Sequence, residues 1–169
     1  MMKTNFILRT LIILVILIIN VSCDQISKSI VRQTIQYNER IGLVNDHVTL
    51  TKVENIGAFL SLGNSLPNIL RIILLIVLPG LAMAYGLYFL LTKTTMPKAT
   101  LIGLSFVLGG GIGNMYDRIT YGSVTDFVHI DFIIFQTGVF NMADVSIMMG
   151  MFLILIQAST KELTGKLRA

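Results

Sequence analysis

Four stretches of the chain carry no charged side chain: residues 10–23, 72–92, 99–116 and 145–160, which run for 14, 21, 18 and 16 residues. Crossing the hydrocarbon core of a bilayer takes roughly 20 residues of helix. The second stretch suffices by itself and the third nearly so. The first and fourth reach that length only by borrowing neighbours, which draws Asp24 and Lys28 into the end of one helix and Asp144 into the start of another. The expected fold class is an all-α membrane protein with four transmembrane helices, at about 8–28, 70–92, 98–117 and 141–160, and a small extracytoplasmic β-containing region. No repeat, low-complexity tract or long linker divides the chain, so residues 1–169 read as a single integral membrane domain.

The composition agrees, with 54% hydrophobic and 13% charged residues. The net charge of +4 reads as topology rather than nucleic-acid binding. Lys3, Arg9, Lys93, Lys98, Lys161, Lys166 and Arg168 fall on one side of the four spans. The other six basic residues share the opposite side with eight of the nine acidic ones. The basic side with few acids is expected to be cytoplasmic and to hold both termini. One cysteine, Cys23, permits no internal disulfide. His47 and His129 lie outside any zinc-ligand spacing, so no metal or other cofactor is expected. Gly109-Gly110-Gly111-Ile112-Gly113 lacks the lysine of a phosphate loop and sits in an apolar run, which points to close helix packing through Gly109 and Gly113.

Two outer segments, about 33–66 and 119–139, join the spans. His47 to Val53 alternates apolar and polar residues like a strand, and Val124 to Phe135 is a second strand-like stretch; together they predict a small sheet over the helices. Between them, Ile56 to Leu62 is apolar with small residues and reads as a loop or short surface helix, fixed or able to close over a bound substrate.

Antiparallel spans bring the end of the first, the start of the second, the end of the third and the start of the fourth to one membrane face. That face collects Asp24, Lys28, Arg71, Asn114, Asp117, Arg118, Asn141 and Asp144, with Asp126 in the adjoining loop. Asp24 with Lys28 and Asn114 with Arg118 are i, i+4 pairs, and Asn141 with Asp144 is i, i+3, so each pair shares a helical stripe. Asp24 and Lys28 fit either a substrate-binding role or an interfacial ion pair with a snorkelling lysine. Asn141 fits a helix cap, a site residue, or both. Asp126 and Asp144, brought together where water is scarce, would tend to share one proton, a state suited to water-mediated peptide hydrolysis. Their alternative is two unrelated interfacial acids.

Five blocks resemble, in order, the signature blocks of the bacterial lipoprotein signal peptidases, also called signal peptidase II. They are Asp24-Gln25-x-x-Lys28, Val53-Glu54-Asn55-x-Gly57-Ala58-Phe59, Gly113-Asn114-x-x-Asp117-Arg118, Gly122-x-Val124-x-Asp126-Phe127 and Phe140-Asn141-x-Ala143-Asp144. The resemblance covers about residues 20–150 and implies a four-span inner-membrane aspartic endopeptidase. Such enzymes cut diacylglyceryl-modified prolipoproteins immediately before the lipid-bearing cysteine. Carried across, Asp126 and Asp144 are the catalytic pair. Asp24, Lys28, Asn55, Gly57, Asn114, Arg118 and Asn141 shape the site or hold substrate, and Asp117 has a supporting structural part. The implied partners are lipid-modified prolipoproteins and membrane lipids. The chain departs from the usual pattern in lacking tryptophan.

Three other readings compete. A Ser/Lys mechanism would use Ser27 or Ser29 with Lys28, although neighbouring helical positions diverge. A small proton-coupled transporter would also place carboxylates in membrane spans. Lastly, Lys3, Arg9, an apolar stretch and Val21-Ser22-Cys23 imitate a lipoprotein signal, but Asn20 fits poorly and cleavage there would discard a helix that carries part of the polar face.

Overall fold

The computed structural model describes residues 6–58, 66–132 and 134–166, the last six of them by backbone alone. Four helices are long and apolar enough to cross a membrane. They are α1 (Phe6–Thr34), α2 (Asn68–Thr92), α3 (Lys98–Tyr121) and α4 (Met142–Lys166). The strands are β1 (Arg40–Leu43), β2 (Val48–Asn55), β3 (Val124–Phe132) and β4 (Phe135–Gln136), antiparallel neighbours in the order β1-β2-β3-β4. The surface-helix expectation for Ile56 to Leu62 falls, from Phe59 onward, outside the described residues.

Helix α1 overshoots its expected end, reaching Thr34 over 29 residues, a length of about 43 Å against a hydrocarbon core of roughly 30 Å. The surplus has a packing reason: Val31 and Ile35, one turn apart, bury against Phe127 of β3. The first span therefore leaves the apolar layer to hold the sheet. At the other end Arg9 is buried and donates to the carbonyls of Leu90, Leu91 and Lys93, satisfying the exposed C-terminal carbonyls of α2.

Within α2, residues Ile73–Val77 form a π-turn just before Pro79. Proline has no N–H for the carbonyl four residues back and its ring crowds that carbonyl, so a widened turn accommodates it. Helix α3 is central, packing against α1, α2 and α4. Its glycines make that possible, as the sequence predicts. A side chain at Gly109 would begin 2.8 Å from the Asn20 side chain of α1, and one at Gly113 only 2.5 Å from the Asp24 carboxylate. On the facing side Gly110 lies against the backbone carbonyl of Ala143. Gly122 closes α3 in the left-handed conformation, φ 75°, with its N–H donating to the Arg118 carbonyl.

The sheet's register depends on one extra residue. Leu50 pairs with Val128, but Val53 pairs with Asp126, so β2 bulges between them. Side chains alternate faces along a strand, and without the bulge Asn55 would face away from Asp126. Beyond β4, Phe140 bridges to Val128, exchanging backbone hydrogen bonds of 2.9 Å in both directions. This bridge delivers Asn141 and the start of α4 to the side of Asp126.

Replacing Gly110 with valine is expected to push α4 away from α3 beside Asp144. Thermal unfolding in detergent should show a loss of roughly 1–3 kcal/mol, whereas an unchanged melting temperature would mean that this close approach is not tight.

Candidate active site

The first and third spans meet around a fully buried ammonium. Lys28 Nζ of α1 donates to Asp24 Oδ2 at 2.8 Å, Asn114 Oδ1 at 2.9 Å and Asp117 Oδ2 at 3.0 Å. Lys28, Asp24 and Asp117 are all 0% exposed. An ammonium has three donors, so Lys28 is saturated. A lysine buried in this way does not snorkel, and all three of its donors are occupied within the protein. A buried ion pair is sustained only when its remaining polar atoms are also matched. Here they are. Asp24 Oδ1 accepts from the backbone N–H of Ala143 at 2.9 Å, and Gln25 Nε2 donates to both Asp24 and Asp117 at 3.0 Å.

Asp24 thereby supplies, from another helix, an acceptor for an unpaired N–H in the first turn of α4, where a negative charge also favours the helix dipole. Asn141 supplies the local cap. Its Oδ1 accepts from the Asp144 N–H at 3.0 Å, while Asp144 Oδ2 accepts from the Asn141 N–H at 3.2 Å, a reciprocal capping box. The same Asn141 donates through Nδ2 to Asp126 Oδ1 at 2.6 Å and Asn114 Oδ1 at 3.2 Å. The helix cap and the link to Asp126 thus meet in one side chain.

Asp126 and Asp144 are linked through these amides. Asn114 Nδ2 donates to Asp144 Oδ1 at 2.9 Å, and Asn55 Nδ2 donates to Asp126 Oδ2 at 3.0 Å. Asn55 also accepts from the Gly57 N–H and donates to the Ala58 carbonyl, each at 3.0 Å, which folds the chain after β2. Arg118 Nη2 then donates to the Gly57 carbonyl at 3.0 Å. Asp126, Asp144, Asn55, Asn114 and Arg118 line one cavity of about 480 Å³, whose other walls are largely aliphatic side chains of α2, α3 and α4. Asp24, Lys28, Asp117 and Asn141 do not line it and form the layer behind.

Burial raises the Asp126 pKa to about 6, and the nearby Asp144 charge pushes the same way; the amides of Asn55 and Asn141 and the Lys28 charge oppose it. Two carboxylates at one cavity, one of them readily protonated, make an acid–base pair able to handle water.

On the opposite face of β3, Thr125 donates to Glu54 at 2.9 Å and accepts from Arg32 Nε at 2.8 Å. Arg32 also pairs with Asp117 at 2.9 Å and lies 4.0 Å above the Tyr121 ring. Arg32, Gln25, Glu54 and Thr125 are missing from the sequence-derived site. Arg32 had a signal, since Asp24, Lys28 and Arg32 are spaced at i, i+4 and i+8. The Ser/Lys alternative finds no support, because Ser27 donates to the Asp24 carbonyl of its own helix and Lys28 is fully engaged. Nor does the lipoprotein reading: Cys23 lies within an unbroken α1, one residue before the buried Asp24. His47 Nδ1 donates to the Asp131 carbonyl at 2.9 Å and the ring stacks on Phe132, a structural use within the sheet. Among the described residues no group of three or more histidines, cysteines or acids forms a metal site.

A multi-pass protein with a paired-carboxylate cavity at one end of its helical bundle falls in the class of membrane aspartic hydrolases. A model of signal peptidase (SPase) II matches residues 12–160, and the chain belongs to this family. A lipoprotein signal peptidase of Streptococcus pneumoniae is 30% identical, covering 91% of this chain and 96% of its own. Its counterparts in Streptococcus agalactiae serotype V and Pseudoalteromonas translucida are 32% and 35% identical, covering 94% and 82% of this chain and 98% and 82% of their own. A solved structure described as a bacterial membrane enzyme superposes with a TM-score of 0.79 at 23% identity, covering 91% of this chain and 90% of that one, a likeness of fold. The chain is therefore an aspartic peptidase of the lipoprotein signal peptidase kind, a multi-pass membrane enzyme that removes signal peptides from prolipoproteins.

Two measurements probe the geometry. Lys28→Met strands Asp24 and Asp117 as buried carboxylates without their ammonium, and unfolding in detergent should register a loss of about 3–5 kcal/mol. A loss below about 1 kcal/mol would mean that the ammonium is dispensable. Asp126, whose folded pKa of about 6 exceeds the ordinary carboxylate value of 3.8, binds its proton more tightly in the native state. Between these values the native state holds more protons than the unfolded one, so this group makes stability fall as pH rises from about 4 to 6. Melting curves of wild type and Asp126→Asn across that window should differ by this slope, and parallel curves would contradict the raised pKa.

Proposed function

We propose that Asp126 and Asp144 activate a water between them and cleave diacylglyceryl-modified prolipoproteins immediately before the lipidated cysteine. The single observation that carries this reading is that both carboxylates line one cavity and are cross-held by Asn55, Asn114 and Asn141. The readiness of Asp126 to hold a proton favours it as the partner that hydrogen-bonds the scissile carbonyl oxygen. Asp144 is then the base that takes a proton from the attacking water. The tetrahedral intermediate forms as the water oxygen adds to the carbonyl carbon. It collapses when the C–N bond breaks and a proton passes to the leaving amine, with no covalent acyl-enzyme. Arg118, at the cavity wall, stabilises developing negative charge.

A second recess of about 580 Å³ adjoins Asp144 and is walled by Phe135, Val139, Phe140, Val145, Met148 and Met149. Its apolar lining supports a lipid-bearing substrate, with acyl chains lodged beside the cut. The signal peptide, itself an apolar helix, reaches the cavity by diffusion within the bilayer. The placement of Lys and Arg in the sequence supports a bacterial inner-membrane orientation with both termini cytoplasmic and the site near the outer interface. Residues 1–169 act as one domain, because α1, β3 and α4 each contribute to a single polar centre.

Asp126→Asn and Asp144→Asn should each lower cleavage of a lipid-modified proprotein by at least about 10²-fold while leaving membrane insertion and protein level near normal. Full turnover by either purified variant ends the dyad reading.

A further inference from the structure

Arg71 is the one member of the polar membrane face that takes no part in the carboxylate centre. It lies in the first turns of α2, half-buried, with Nη2 donating to the Asn68 side chain at 3.1 Å. It faces a recess of about 250 Å³ whose other polar lining is Asn68 and Arg118; Ile56, Ile72, Leu75 and Ile76 form the apolar walls. No carboxylate lines this recess among the described residues, and none occurs in the sequence between residues 55 and 71. Arg118 forms no ion pair among the described residues; its Nη2 donates to the Gly57 carbonyl at 3.0 Å, and its Nε is buried without a hydrogen-bond partner.

We propose that this recess binds the phosphate of an anionic membrane lipid, held between the Arg71 and Arg118 guanidiniums. Planar forks of N–H donors match phosphate oxygens in geometry as well as charge. The apolar walls decide between a lipid and a free phosphate ion. They continue into the outward face of α2, where Ile69, Leu70, Ile73 and Leu74 are exposed and none of the span's most apolar window is buried. An acyl chain descending from a phosphate at Arg71 would lie along that face. Arg118 lines both this recess and the carboxylate cavity, so a lipid phosphate there competes with the carboxylate centre for one guanidinium. The proposal goes beyond the peptidase reading and does not depend on it.

The test uses the full-length protein in mild detergent, titrated with phosphatidylglycerol or phosphatidylcholine and read by native mass spectrometry. Wild type should retain one phosphatidylglycerol at least about fivefold better than phosphatidylcholine, the scale of one basic residue acting near a membrane surface. Arg71→Gln should lose about that factor for phosphatidylglycerol alone. Arg71→Lys, which keeps the charge but not the fork, should fall between. Arg40→Gln, an exposed cation on β1, should match wild type, and millimolar inorganic phosphate should leave the lipid bound. Near-identical melting temperatures for the Arg71 variants and wild type would confirm that the fold is intact; a large drop would make Arg71 a structural residue and overturn the assignment. Equal retention of the two lipids, or equal phosphatidylglycerol retention by wild type and Arg71→Gln, also overturns it. Displacement by inorganic phosphate overturns the choice of a lipid.

Discussion

The buried Lys28 ammonium is the interaction on which the rest of the molecule depends. A charge in this environment survives only if every donor is matched, and the matching groups come from different parts of the chain: Asp24 on its own helix, Asn114 and Asp117 on α3. Each acceptor then has a second task. Asp24 holds the Ala143 N–H at the start of α4, and Asn114 reaches Asp144. The position of a carboxylate at the cavity is thus fixed by a cation that never touches the cavity.

The sheet brings the other carboxylate by a different route. A strand has two faces, and β3 uses both: Thr125 turns toward Glu54 and Arg32, anchoring the strand to α1 and, through Asp117, to α3. Asp126 turns the other way, toward Asn55 and Asn141. The bulge in β2 is what puts Asn55 on the Asp126 face. Asp144 rests on helix packing and Asp126 on strand register, so the two carboxylates are positioned by independent structural devices that meet at Asn141.

Much of this is legible in the sequence, for identifiable reasons. Charge-free runs reveal the spans because charges are excluded from hydrocarbon, and the i, i+4 spacing of Asp24 and Lys28 reveals their stripe. Antiparallel threading places the polar residues on one face without knowledge of any contact. Helix limits are less visible. The extension of α1 to Thr34 depends on Phe127, almost a hundred residues away, and nothing near Val31 announces it. β1 is exposed on both faces and therefore carries no alternation to detect. The saturation of Lys28 was also out of reach, since spacing tells which residues share a stripe but not how many acceptors converge on one nitrogen. Arg32 and Glu54 escaped because their partners meet on the far side of β3 from the two carboxylates.

The bond from Asp24 to the Ala143 N–H joins the first span to the last. During synthesis the nascent chain therefore enters the bilayer with Asp24 already in place and its eventual partner still on the ribosome. On the proposed reading, in which Asp144 is the base, a chain with only three spans inserted lacks that carboxylate, and hydrolysis waits for the fourth. On that reading the order of biogenesis is written into the centre, and a partly made protease stays inert.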